Sequence, residues 1–245
     1  MITSKGNPQL KTLRKLMSSS RERRMSGLFV VEGVRLFCEV PKELLQEIWL
    51  TEAGYEALKA ELEGMKNVQL VSDEVMKSCS DTVNPQGVIA VVKKPRTGVD
   101  INKKGKILLL DGIKDPGNMG TIIRTAEAAG VKAVYVSADC VDVFNPKVIR
   151  STMGSIFRVP VITADLLKLT DDLKNRNIPV YACSLDAEKY IDEVDMTDPA
   201  IIIGSEAAGI KKELQDAASL KVKIKMYGQV ESLNAAIAAA VMMFR

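Results

Sequence analysis

Between Lys106 and Met226 the chain returns six times to a short apolar run: "KILLLDG", "AVYVS", "RVPVI", "PVYACS", "PAIIIGS" and "KVKIKM", with helical segments between them. A strand with one wet face alternates apolar and polar residues. "ILLL" and "AIIIG" do not alternate, so they suit strands buried on both faces, as in a mainly parallel sheet with helices on either side. Ligands of such sheets gather beyond the carboxyl ends of the strands. The loops that follow these runs therefore carry the first claim to function.

The region ahead of them reads as a smaller α/β layer domain, residues 1–94. Leu10, Leu13, Leu16 and Met17 recur at helical spacing, and "GLFVVEG" follows as a buried strand closed by Gly33. "EIWLT", "VQLVS" and "GVIAVV" predict further strands, and "EAGYEALKAELEGM" and "DEVMKSC" predict helices. The stretch "KKPRTGVDINKKGK" carries Pro95, Gly98, Gly105 and a heavy charge load without hydrophobic period. It predicts a basic linker over 95–105 and a second domain over 106–245.

Composition removes whole classes of chemistry. The 245 residues contain no histidine, which excludes His-based nucleophilic systems and His-ligated metals, and no metal is expected. Cys38, Cys79, Cys140 and Cys183 are too far apart for a CxxC pair and read as buried thiols of a reducing cytosol. The longest apolar run, "AAIAAAVMMF", is about half a membrane span, and no signal core is present, so a soluble cytoplasmic protein is expected. The net charge is +3, yet Lys5 to Arg24 holds seven basic residues against Glu22 alone, and Lys93 to Lys106 is a second basic cluster. Concentrated positive charge suggests a polyanionic partner, against the plain alternative of a solvated surface.

Three loops carry side chains suited to a site. "DPGNMGTIIRTAEAAG" follows a strand and opens a helix near Asn118 to Thr121, with Arg124 six positions after Asn118. It matches neither dinucleotide nor P-loop patterns, and alone it fits a solvated helix Arg behind a capping Asn. "IIIGSEAAGI" brackets Ser205 and Glu206 with Gly204 and Gly209; Glu206 could face a ligand or balance the next helix N-terminus. "MYGQVESLNAAIAAAVMMFR" offers Ser232 as N-cap, Asn234 in the first turn and a run of small residues that could equally be core or subunit contact.

Taken together and in order, "GNMGTIIRTAEAAG", "IIIGSEAAGI" and "ESLNAAIAAA" resemble the three motifs of the SpoU/TrmH family of S-adenosylmethionine-dependent RNA ribose 2′-O-methyltransferases, of the SPOUT class. "NPKVIRSTMGSIFRVPV" resembles the family segment between the first two motifs. "NPQLKTLRKL" and "FVVEGVRLF" resemble the ribosomal-protein-like (L30e-like) substrate-binding domain that many members carry. Asp115 departs from the Asn that members often have there.

The resemblance implies a parallel-sheet domain with a deep trefoil knot, a homodimer through that domain, and S-adenosylmethionine held by Ile203, Gly204, Ile224, Ser232 and Leu233. It implies catalytic roles for Arg124, Asn118, Glu206, Ser232 and Asn234. A guanidinium is a poor base, so Arg124 is expected to stabilise an alkoxide or hold a phosphate. Lys11, Arg14, Lys15, Arg23, Arg24 and Arg150 are the expected RNA contacts. The appended domain favours large-subunit (23S) ribosomal RNA; a tRNA substrate and a catalytically inactive RNA-binding protein are the alternatives.

Overall fold

The computed structural model describes every residue except 97 and 102. Two positions of the expected linker thus lie outside the described residues. The chain forms two compact units, Met1–Arg96 with Phe144–Phe157, and Thr97–Val143 with Arg158–Arg245. A segment from the middle of the sequence therefore belongs to the first unit, which a linear division at 95–105 has no means of expressing.

In the first unit, helices α1 (Pro8–Ser18) and α2 (Ser20–Ser26) precede β1 (Leu28–Glu32), and α3 (Val34–Phe37) follows it. Then come β2 (Leu45–Leu50), α4 (Glu52–Ala57), β3 (Val68–Leu70), α5 (Asp73–Cys79) and β4 (Val88–Lys93). The sheet order is β1-β4-β2-β3, antiparallel except for the parallel β2–β3 pair. Leu10, Leu13 and Leu16 of α1 are buried as their spacing predicts, against Val30, Trp49 and Val91. α4 ends at Ala57, well short of the helix expected through Met65, and the chain turns at Gly64 with φ +75°.

Helix α7 (Pro146–Thr152, numbered in chain order) joins this unit because aromatic residues at both ends of its segment reach Phe29 of β1. The Phe29 ring lies 4.9 Å from that of Phe144 and 6.1 Å from that of Phe157, centroid to centroid.

The second unit contains β5 (Ile107–Asp111), α6 (Pro116–Ala128), β6 (Ala133–Val136), β7 (Val161–Thr163), α8 (Leu166–Asn175) and β8 (Val180–Cys183). It continues with β9 (Lys189–Tyr190), β10 (Ala200–Gly204), α9 (Lys212–Ala217), β11 (Leu220–Lys223) and α10 (Ala235–Phe244). The order is β7-β6-β5-β10-β8-β11-β9, and every pairing is parallel. Ile107, Leu108, Leu109 and Leu110 are each 0% exposed, which is why "ILLL" shows no alternation. Each such side chain contributes roughly 1.5–3 kcal/mol of hydrophobic stabilisation. The two-residue strand β9 had no sequence signal, and "KVKIKM" stops pairing at Lys223, which leaves Ile224 to Met226 as loop.

Several expectations need correction. Cys38 is exposed, Cys79 is buried, and Cys140 and Cys183 are partly buried. Val99 and Ile101, within the expected linker, pack against the core of the second unit. Lys106 is not offered to a polyanion, because its ammonium donates to the Met243 carbonyl at 2.9 Å and the Arg245 carbonyl at 3.1 Å, at the C-terminal end of α10. Among the described residues no helix is long and apolar enough to cross a membrane.

Candidate active site

The three loops singled out by sequence all leave the second unit's sheet on one side, and each is locally built for its place. α6 begins earlier than expected, with Pro116 in its first turn and Asp115, rather than Asn118, as N-cap; the Asp115 carboxylate accepts from the Asn118 N–H at 2.7 Å. The residue that departs from the usual family pattern therefore has a structural task. It leaves the Asn118 side chain unencumbered.

Beyond β10 the chain doubles back at once. The Gly209 N–H donates to the Ser205 carbonyl at 2.9 Å, and Gly209 sits at φ +66°. A Cβ on Gly204 would lie 2.2 Å from the Gly209 carbonyl carbon, so this close return admits only glycine. The loop is then anchored at Lys211. Its N–H and ammonium both reach the Asp111 carboxylate, at 2.8 and 3.1 Å, and the ammonium also reaches Asp139 at 3.2 Å. Asp111 is 2% exposed and stands beside Gly204 in the β5–β10 ladder. Hydrogen bonding to Asp111 pushes the Lys211 ammonium above its ordinary pKa, and the Ser137 hydroxyl, ahead of Lys211, holds Asp139 below its own.

The third loop corrects the cap: Asn234, not Ser232, is the N-cap of α10, its Oδ1 accepting from the Ala236 N–H at 2.9 Å and the Ile237 N–H at 3.4 Å. With Oδ1 on the helix, the Asn234 amide must point outward. There it donates to Asn118 Oδ1 at 3.1 Å and Glu206 Oε1 at 3.2 Å. Asn118 in turn donates its amide to Glu206 Oε1, and the Ala235 N–H reaches the same oxygen at 3.4 Å. Reversing either amide would set oxygen against oxygen or N–H against N–H, so the network dictates both orientations.

Glu206 Oε1 thus gathers three donors from two remote chain segments, Asn118 of α6 and Asn234–Ala235, at the positive end of α10. Its Oε2 has no hydrogen-bond partner among the described residues, and Glu206 is exposed. The sequence leaves Glu206 either facing a ligand or balancing the next helix N-terminus. It balances α10, 29 residues further on, and not the adjacent α9.

Behind Glu206 lies a cavity of about 430 Å³, within the range of small-molecule sites. Ile203, Gly204, Ile224, Ser232 and Leu233, all named from sequence, line it. Ala238 of α10 also lines it. Sequence reasoning missed Cys183, Asp186 and Lys223 on its wall; Cys183 and Lys223 end β8 and β11, Asp186 lies in the loop after β8, and none belongs to a motif. Burial pushes the Cys183 thiol up to about 11. Arg124, on the α6 helix that begins with Asn118's turn, is exposed and without an ion pair among the described residues.

The expected RNA contacts fare differently. Lys11, Lys15 and Arg24 are exposed. Arg14 is half-buried and donates to the Lys5 carbonyl at 2.8 Å and Ser78 at 2.9 Å. Arg23 is corrected: it is 2% exposed, and its guanidinium closes the end of α1 by donating to the Leu16 and Met17 carbonyls at 2.6 and 3.1 Å. Arg150 is engaged by Asp81 at 2.7 Å and lies 3.7 Å from Glu32.

Residues 105–244, the span that holds all three loops, match the SpoU rRNA Methylase family. The chain belongs to that family. Residues 7–90 match the MRM3-like substrate binding domain. The 23S rRNA (guanosine(2553)-2′-O)-methyltransferase RlmP of Bacillus subtilis is 33% identical, over 99% of this chain and 97% of its own length. A crystallised RNA 2′-O ribose methyltransferase is similar with TM-score 0.83 and 31% identity, over 99% of this chain and 96% of the other. The AdoMet-bound rRNA methyltransferase of Sinorhizobium meliloti gives TM-score 0.84 at 28% identity, over 99% and 95%. This SpoU family member therefore matches these methyltransferases over both of its units.

Proposed function

We propose that this chain transfers a methyl group from S-adenosylmethionine to a ribose 2′-hydroxyl of large-subunit (23S) ribosomal RNA. The observation that carries the reading is the convergence of Asn118, Glu206 and Asn234 from three separate loops at the rim of the 430 Å³ cavity. The cofactor supplies, when bound, a methyl group on a cationic sulfur. Main chain at Ile203 and Gly204 and apolar side chains of Ile224 and Leu233 suit its adenosine, and the spare Oε2 of Glu206 suits a cation or hydroxyl nearby.

The chain's own residues then act on the acceptor ribose. Arg124 offsets the negative charge that grows on the 2′-oxygen as its proton leaves; near neutrality a guanidinium has no lone pair with which to take that proton. Asn118 and Asn234 fix Glu206 through bonds that use up their amides, and Ser232 orients the ribose by a hydrogen bond. Lys11, Lys15 and Arg24 remain free to meet phosphates, which makes RNA affinity fall with added salt.

On the same reading the first unit is an L30e-like RNA-binding domain, and the C-terminal segment is threaded as a trefoil knot and pairs with a second copy. The support for pairing is the exposed apolar stripe of α10, Ile237, Val241 and Phe244, at 51%, 36% and 65% exposure. Cytoplasmic residence accompanies an RNA substrate of this kind. The matched substrate-binding domain and the RlmP relative favour ribosomal RNA over tRNA. Mapping 2′-O-methyl positions in total RNA from cells with and without this protein tests the reading. Loss of one position in large-subunit RNA is expected, and an unchanged map overturns it.

A further inference from the structure

A second cavity, of about 270 Å³, lies wholly in the first unit. Its walls carry Arg35, Asn84, Gln86, Arg150, Leu36 and Met153, none of which but Arg150 figured among the expected RNA contacts. Glu32 closes its floor and is not itself available. One Glu32 oxygen takes the Ser80 and Thr82 hydroxyls, the latter at 2.6 Å, and the other takes the Asp81 N–H at 3.1 Å and faces Arg150. Those bonds set the loop from Ser80 to Thr82 against the end of β1 and so hold the cavity open.

What remains on the wall is a set of unspent polar groups. Gln86 Oε1 accepts from the Val34 N–H at 3.0 Å, and the exposed Gln86 amide N–H₂ has no hydrogen-bond partner among the described residues. Gly33, at φ +102°, permits this seat: a Cβ there would lie 3.0 Å from the same Oε1. Asn84 and the exposed Arg35 have no hydrogen-bond or ion-pair partner among the described residues. Arg150 is already committed: its Nη2 donates to Asp81 at 2.7 Å and its buried Nη1 lies 3.7 Å from Glu32, so it braces the wall and offers no donor to a ligand. Leu36 and Met153 add apolar surface beside these donors.

Donors arranged around an apolar wall, with a free guanidinium at the rim, match an unstacked nucleotide. The base lies against Leu36 and Met153, its carbonyl oxygens face Gln86 and Asn84, and a neighbouring phosphate meets Arg35. We propose that this cavity is a subsite for one unpaired nucleotide of the RNA substrate, presenting a carbonyl-bearing base. The inference rests on the RNA methyltransferase reading and adds the residues by which the first unit chooses its RNA.

The test uses the full chain and large-subunit RNA prepared from cells lacking this protein. Binding is read by filter retention, cofactor affinity by calorimetry with S-adenosylmethionine. The double variant Asn84→Ala/Gln86→Ala is expected to bind this RNA about 10- to 100-fold more weakly. Arg35→Ala, at an exposed position where folding is not at risk, is expected to lower the salt slope by about one ion. Cofactor affinity should be unchanged in both. RNA carrying 4-thiouridine should crosslink to the peptide spanning Thr82 to Gln86 in the parent protein and not in the double variant. If the parent binds and methylates the RNA while both variants match it, the subsite is overturned and the function stands. If the parent neither binds nor methylates it, the functional reading fails first. A crosslink to that peptide that persists unchanged in the double variant also overturns the proposal.

Discussion

Two carboxylates organise this molecule, and they are organised differently. Glu32 has a side chain 3% exposed and accepts on both oxygens from the loop after α5, with Arg150 beside it. Glu206 is exposed and accepts on one oxygen from Asn118, Asn234 and the start of α10. Both gather donors from residues remote in sequence. The difference is the spare oxygen: a carboxylate with every acceptor filled builds a wall, whereas one with an acceptor left over can meet a ligand. Buried donors and acceptors are costly to orphan, so the first role is read out in stability and the second in turnover.

The comparison can be broken in several ways. The largest effect belongs to the cation that stands apart from both networks: Arg124→Ala should lower methyl transfer about 1,000-fold with cofactor affinity nearly intact. Near-normal turnover removes Arg124 from catalysis. Next, Glu206→Gln keeps an acceptor for the two amides and removes the charge, and kcat should fall about 10- to 100-fold with little change in Tm. Glu32→Gln should do the reverse, costing about 2–3 kcal/mol of stability in thermal melts while kcat is retained. A catalytic loss in Glu32→Gln with unchanged Tm would erase the distinction.

A smaller effect is expected where a buried acid acts on the site through another residue. Asp111→Asn weakens the seat of Lys211 and so loosens the loop from Gly204 to Gly209, which should raise the cofactor Kd several-fold, on the order of 1 kcal/mol. The tie has a defined pH window. Asp139 is held below 3.8, so its contribution is present above that value and lost as pH falls through the depressed one; Lys211 is held above 10.5, so its contribution is present below that value and lost as pH rises through the raised one. Calorimetry between those limits should show no titration of cofactor affinity from this pair. Smallest of all, Cys183, pushed up to about 11, should alkylate slowly at pH 8 and more slowly still with cofactor bound. Rapid labelling would mean the wall of the cavity opens.

Much of this was legible in the residues. The unalternating runs announced a doubly covered parallel sheet, and β5, β6, β8 and β10 lie where they were expected. The three loops were separable from background by glycines and lone polar residues, and Ile203, Gly204, Ile224, Ser232 and Leu233 do line one cavity. What pattern could not supply was the allocation of individual polar atoms. Asp115 took the cap and freed Asn118, while Asn234 took the cap expected of Ser232. Arg23 looked like the residues around it and was spent on carbonyls at the end of α1.

Periodicity, glycine placement and motif order therefore determined the fold class and the loops that hold the site, because burial on one or two faces writes itself along the chain. Tertiary structure decided which of several equivalent side chains is left with an unsatisfied donor or acceptor. A hydrogen bond is a property of pairs, and the partner of Glu206 Oε1 at Asn118 lies 88 residues away. No local pattern encodes that meeting; only the closed fold brings it about.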